Sequence, residues 1–254
     1  MKIKLAILLL VVGLIIISCK KEDKQPAPTT TNTTGGSGSN YYPASSATVF
    51  SGIFTTGNYV GSTIVGSTTY TFDANDARAY FSNSPQQYIN TTTAVTVNKV
   101  YLNGDSLSYN SSYKYYTSIN SVSLVSETWS VSGANGIGTF SITNNFITPS
   151  ATGYLALPDS ISLSSGFTVT INNVSNASSA SIFLSDGGTG FYTANLQSGN
   201  NTLTITPANL SGVSTTTNGN LALLLSSKKA YTISSKDYQF NREFQFNKSV
   251  KIKP

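Results

Sequence analysis

Beyond the first forty residues the acids are Asp73, Asp76, Asp105, Glu127, Asp159, Asp186, Asp237 and Glu243, and the chain has no histidine. Without an imidazole there is no Ser-His-Asp or Cys-His arrangement. No G-x-S-x-G elbow, P-loop or dinucleotide fingerprint is present. A glycosidase needs two carboxylates facing each other across a sugar. Glu127 is the most suggestive acid, because Trp129 follows two residues later and shares its face if the segment is a strand. The simpler use of this pair is a core tryptophan with Glu127 in solvent at a strand end. Asp73-Ala74-Asn75-Asp76 offers three oxygen side chains in four residues. Calcium takes six to eight oxygen ligands and no longer acidic frame follows, so the stretch reads as a turn. Asp186-Gly187-Gly188 reads the same way. No metal or other cofactor is expected.

The tyrosines are the remaining groups able to do specific work. Tyr41, Tyr42, Tyr109, Tyr113, Tyr115 and Tyr116 stand in polar surroundings, the last three in the run YKYY. A phenol combines a flat apolar face with a hydroxyl, which suits stacking on a sugar or a protein partner. Tyr113, Tyr115 and Tyr116 are therefore the candidate ligand platform. Packing at the rim of a sheet is the competing use.

Strands must position these groups. In TAVTVNKVYLNGDSLSY, Val95 and Val97 alternate with polar residues, and Asn103-Gly104 is a type I′ turn signal between two β-rich runs. TWSVS (128–132) and GTFSIT (138–143) repeat the pattern around a glycine-rich loop. In YQFNREFQFNKSVKI, Tyr238, Phe240, Phe244, Phe246, Val250 and Ile252 all occupy even positions, together with Arg242 and Lys248. A period of two places them on one face of a strand. The run exceeds the usual strand length, which predicts a bend or a tight turn near Arg242 or Asn247-Lys248. DANDARAYF (73–81) could form a helical turn capped by Asp73, and TPANLSGV (206–213) another with Pro207 in its first turn.

The fold class expected is all-β: an antiparallel β-sandwich, in two Ig-like or jelly-roll-like modules after a disordered tether. Charged residues are 10% of the chain, hydrophobic ones 39% and aromatic ones 11%. That balance supports a core. The boundaries expected are 1–18 for a signal peptide, 19–47 for the tether, 48–147 for an N-terminal β module and 148–254 for a C-terminal one. The tether carries Pro26, Pro28 and then GGSGS at 35–39, with no hydrophobic period.

The amino terminus settles the expected location. Lys2 and Lys4 precede an apolar run from Leu5 to Ile17, shorter than the roughly 20 residues of a membrane span. Ile16-Ile17-Ser18-Cys19 resembles the lipobox of bacterial lipoproteins: an aliphatic residue, a small residue just before the cysteine, then the cysteine. The resemblance implies cleavage before Cys19, a diacylglycerol thioether on its sulfur and an acyl chain on its new amino group. Two or more chains anchor stably where one holds only marginally, at about 0.8 kcal/mol per buried CH₂. Lys20, Lys21, Glu22 and Asp23 follow at once. They are similar to the surface-export signal of Bacteroidota-type lipoproteins, which implies an outer-membrane protein facing the cell exterior. Asp105-Ser106-Leu107 and Asp159-Ser160-Ile161 resemble the O-glycosylation acceptor of exported proteins from the same group, with Ser106 and Ser160 as acceptors.

Loss of the leader removes Lys2 and Lys4 from 15 basic residues against 10 acidic ones. The small excess left is thinly spread, unlike a nucleic-acid footprint. The function expected is non-catalytic: a lipid-anchored surface protein for adhesion or binding, with a glycan or protein partner beside the membrane. A cell-envelope structural subunit and a carbohydrate-active enzyme are the alternatives.

Overall fold

The computed structural model describes residues 41–43, 49–65, 68–87, 89–119 and 126–254. Its strands, in chain order, are β1 (Tyr41–Pro43), β2 (Phe50–Val65), β3 (Thr68–Gln86), β4 (Lys99–Leu102), β5 (Asp105–Ser106) and β6 (Ser108–Asn110). These are followed by β7 (Tyr115–Ile119), β8 (Glu127–Ser132), β9 (Phe140–Asn144), β10 (Ser150–Thr152), β11 (Ser160–Ser162) and β12 (Phe167–Ser175). The last five are β13 (Ser179–Ser185), β14 (Phe191–Asn195), β15 (Gly199–Ile205), β16 (Thr216–Ile233) and β17 (Lys236–Lys253). Helical structure among the described residues is limited to two 3-10 turns, Tyr154–Ala156 and Pro207–Leu210. Thr206 and Asn209 cap the second through a reciprocal side-chain and backbone box.

The protein is an all-β sandwich. One large sheet runs β14-β13-β16-β17-β2-β3-β7-β6, with β1 added on β16 and β11 on β17. Two small sheets, β5-β4-β8-β9 and β10-β12-β15, complete the fold. Pairing is antiparallel except at β17–β2 and β11–β17, which are parallel. The purely antiparallel expectation is corrected there. β17 enters from the hairpin with β16, so its second neighbour, β2, arrives from the far end of the chain and is free to run the same way.

Neither the bend nor the tight turn expected in the C-terminal run occurs. β16 and β17 pair from Gly219↔Val250 to Ile233↔Lys236 without interruption. The reversal lies earlier, at Ser234 and Ser235, with φ of 51° and 63°. Both values are positive, as a two-residue hairpin turn requires. At the hairpin predicted from Asn103-Gly104, Asn103 (φ 54°) and Gly104 (φ 91°) form the turn between β4 and β5. Residues 73–81 lie within β3 and form no helical turn. There Asn58 Nδ2 donates to Asp73 Oδ1 (3.0 Å) and to Asn75 Oδ1 (2.9 Å) across the strand pair.

Both small sheets cover the same face of the large one. Tyr238 and Phe240 join Phe54, Phe81, Trp129, Val131, Phe140 and Ile142 in one core, beneath the β4/β8/β9 sheet. Phe246, Val250 and Ile252 join Leu221, Leu223, Val169, Ile171 and Ile205 in a second, beneath the β12/β15 sheet. Phe54 anchors the first: its ring stacks on Phe240 at 4.6 Å and meets Trp129 edge-on at 4.9 Å. Such fully buried side chains contribute about 1.5–3 kcal/mol each. The even parity of β17 is thus realised, but its side chains serve two cores. β16 and β17 run through both, so position 148 separates two covering sheets and not two self-contained halves.

Candidate functional site

The opposite face of the large sheet carries no covering sheet among the described residues. Its positions are the odd residues of β17 and their partners: Gln239↔Ile53, Asn241↔Thr55, Glu243↔Gly57 and Gln245↔Tyr59 on β2. On the other side Leu224, Ser226 and Lys228 of β16 pair with Gln245, Glu243 and Asn241. A groove of about 540 Å³ runs here, lined by Ile53, Leu224, Lys228, Gln239, Glu243 and Gln245 among others. Amide ladders fix its floor. Gln239 Nε2 donates to Asn241 Oδ1 (2.8 Å), Asn241 Nδ2 to Thr55 Oγ1 (3.2 Å), and Gln245 Nε2 to Asn247 Oδ1 (2.8 Å).

Beside the groove, and sharing Glu243 with its lining, stands a charged cluster. Gly57 of β2 pairs with Glu243 on one side and Asp76 on the other. Arg78, on the next outward position of β3, reaches both acids: Nε to Asp76 Oδ2 at 3.0 Å and Nη2 to Glu243 Oε2 at 3.2 Å. The Tyr59 hydroxyl donates to Glu243 Oε2 (3.1 Å) and accepts from Arg78 Nη2. Arg78 also lies 5.6 Å from the Tyr59 ring centre. Burial pushes the Asp76 carboxyl up to about 6 against the attraction of Arg78, and the charge of Glu243 adds to the rise. Tyr59 is raised as well, chiefly by burial, and stays a neutral phenol.

Beside this cluster lies an aromatic ladder. Tyr80 meets Tyr115 at 5.0 Å, and Tyr115 meets Tyr113 at 6.0 Å. Tyr113 is 52% exposed and Tyr115 is half-buried. Tyr116 is a correction to the sequence-based platform. Alternation along β7 turns it into the core, where its hydroxyl accepts from the Val97 amide (2.8 Å) and donates to the Val97 carbonyl. The platform on the open face is Tyr113 and Tyr115 with Tyr80.

Glu127 is also corrected. Trp129 is core, as expected, but Glu127 is not in solvent. Glu127 Oε1 pairs with Arg242 Nη2 at 2.9 Å, each side chain 1% exposed. The Thr56 hydroxyl and Trp129 Nε1 donate to the same carboxylate. Burial raises the Glu127 carboxyl and Arg242 pulls it back; burial lowers Arg242 and Glu127 holds it up. This acid is enclosed in the fold.

Ser106 and Ser160 are both exposed, in β5 and β11. Asp159, next to Ser160, pairs with Lys248 at 2.9 Å. Asp186 takes its expected turn: it accepts from the backbone amides of Ser214, Gly188 and Gly190, which hold its carboxyl below the usual range. Cys19, Lys20, Lys21, Glu22 and Asp23 lie outside the described residues, as does most of the expected tether. Among the described residues no three His, Cys, Asp or Glu side chains gather as metal ligands.

The Tyr59–Asp76–Arg78–Glu243 cluster was missed from sequence. Its members come from β2, β3 and β17, and no local spacing links them. The Glu127–Arg242 pair did leave a trace, because Arg242 shares parity with the buried aromatics of β17. Comparison with family models, curated proteins and solved structures gives no match, so the chemistry of these residues alone carries the functional reading.

Proposed function

We propose that this chain is a lipid-anchored, non-catalytic binding protein on the outer face of a bacterial outer membrane, and that it captures glycans. The anchor is acylated Cys19, and Lys20, Lys21, Glu22 and Asp23 direct export to the surface. The observation that carries the binding half is the open face of the large sheet. Exposed and half-buried tyrosines stand there beside a groove floored by amides. Sugars are bound by this combination of aromatic faces and planar polar groups. The buried state of Glu127 counts against the catalytic use considered for it.

Two experiments test the reading. Protease shaving of intact cells should degrade the wild-type chain and spare a variant with Lys21, Glu22 and Asp23 all changed to Ala. Protection of both places the protein on the periplasmic side. Binding to polysaccharides should be abolished by Tyr113→Ala with Tyr115→Ala while the melting temperature moves little. Retained binding removes the tyrosine platform.

A cell-envelope structural subunit is the second reading. It is favoured by the outer edge of β14, which pairs with no further strand among the described residues and where Phe191 is 64% exposed and stacks on Phe183 at 6.1 Å. It predicts concentration-dependent oligomers, and a strict monomer at high concentration counts against it.

A further inference from the structure

We propose that β14 is the seam of a two-fold dimer: a second copy of this chain adds its own β14 antiparallel and carries the large sheet across without a break. The seam stands on the edge itself. Its use, two binding faces side by side, rests on the glycan-capture reading. Backbone groups alternate along β14. The Asp186 amide donates to the Gly190 carbonyl, and the Leu196 amide to the Ala180 carbonyl. With the register between these bonds, Gly190, Tyr192, Ala194 and Leu196 turn their backbone groups toward β13. Phe191, Thr193 and Asn195 turn theirs outward, where no further strand pairs among the described residues. Thr193 is the centre of this set. A second β14 laid antiparallel with Thr193 on its counterpart gives every outward N–H a carbonyl, with Phe191 opposite the other copy's Asn195.

A two-fold contact sets residues near their own counterparts, so a charge there meets a like charge. No Asp, Glu, Lys or Arg occurs between Asp186 and Lys228. Edge strands are ordinarily protected by charge, proline or a bulge. FYTAN has no charge and no proline, and it pairs with β13 without a register shift. All five of its residues are exposed or half-buried, and threonine opposite threonine is a favourable cross-strand pair. At the other end of the large sheet, β6 is three residues long and lies between Asp105 and Lys114.

Ile182 and Leu184 of β13 are buried in the core, so Phe183, and with it Thr193, faces the open side. The two-fold axis stands perpendicular to the sheet, and both copies present their open faces to the same side. The groove reaches Ser179 and Ser181 on β13. From β13 of one copy to β13 of the other is three strand spacings, roughly 14 Å. A polysaccharide spans that gap, and one polymer held by both grooves gains through effective concentration.

The full chain, purified in detergent, should sediment as monomer and dimer in proportions set by concentration. Thr193→Lys and Thr193→Glu each place like charges on the axis and should sediment as monomers, with melting temperatures near wild type because the position is exposed. An equimolar mixture of the two should dimerise, since opposite charges then meet. On immobilised polysaccharide the wild type should be held about tenfold or more tighter than Thr193→Lys, with equal affinity for a short oligosaccharide. A wild type that stays monomeric at the highest soluble concentration overturns the seam. So does a dimer that persists in both single variants, or a mixture that stays monomeric. Equal retention of dimer and monomer on the polymer overturns the paired use. A dimer that binds no polysaccharide overturns the glycan reading and leaves the seam, while polysaccharide binding by a strictly monomeric chain overturns the seam and leaves glycan capture.

Discussion

Removing one partner of the Glu127–Arg242 pair should destabilise the protein more than any surface change. The two groups meet at 2.9 Å with side chains 1% exposed. They sit where the two cores of the large sheet adjoin, with Arg242 in one row with Ser227 and Thr56 across three strands. Arg242→Met keeps the volume and the apolar stem but leaves Glu127 without its cation. Thr56 and Trp129 still donate to the carboxylate, yet two neutral donors do not replace a charge in a dry interior. Breaking a buried pair in this way costs about 3–5 kcal/mol. At roughly 2–4 °C per kcal/mol for a domain of this size, the melting temperature should fall by about 6–20 °C. Glu127→Leu alone strands the arginine and should cost a similar amount. The double variant, Glu127→Leu with Arg242→Met, removes both desolvation penalties and should recover most of the loss. Urea unfolding followed by fluorescence is the assay, on a chain lacking residues 1–18 with Cys19→Ser. The protein has a single tryptophan, and Trp129 lies beside the pair. A loss below about 1 kcal/mol in either single variant is the value of an exposed ion pair and would refute a buried one. Strictly additive effects in the double variant would refute the coupling.

Four further outcomes rest on the geometry. Asp76 is raised to about 6 from an unfolded value near 4, so the native state holds its proton over that interval. The stability this contributes is full below about pH 4 and is lost as pH rises through 6, by about 1–3 kcal/mol. Asp76→Asn should remove that fall, so a stability difference between the two proteins that stays flat from pH 4 to 7 counts against it. Tyr116→Phe leaves the Val97 amide and carbonyl without their buried partner and should cost about 1–3 kcal/mol in chemical denaturation; Tyr113→Ala should stay within about 0.5 kcal/mol of wild type, because Tyr113 is half-exposed and has no core contact. Gly61 has φ of 148°, and a Cβ there would lie 2.0 Å from the Asn247 carbonyl oxygen; Gly61→Ala should therefore disrupt the β2–β17 pairing and cost about 2 kcal/mol or more by the same denaturation measurement, with a neutral result removing the close approach.

What the sequence determined was local. Alternation made residues 238–252 a strand, Asn103-Gly104 made a hairpin, and the absence of histidine removed the commonest catalytic constellations. Period two follows from backbone geometry, and turn residues from the φ values they tolerate, so both can be read from one stretch of chain. The sheet partners decided the rest. Whether Tyr116 or Tyr115 faced outward depended on which side of the large sheet the small sheets cover. Whether Glu127 met water depended on Arg242, which a distant strand brings beneath it. Asp76 and Arg78 looked like turn and helix residues until β2 on one side and β7 on the other held them in a strand. The candidate site exists only because β17 runs parallel to β2 and sets Glu243 opposite Gly57. Such pairings are chosen by the burial of two cores at once, a property of the whole chain that no short stretch contains.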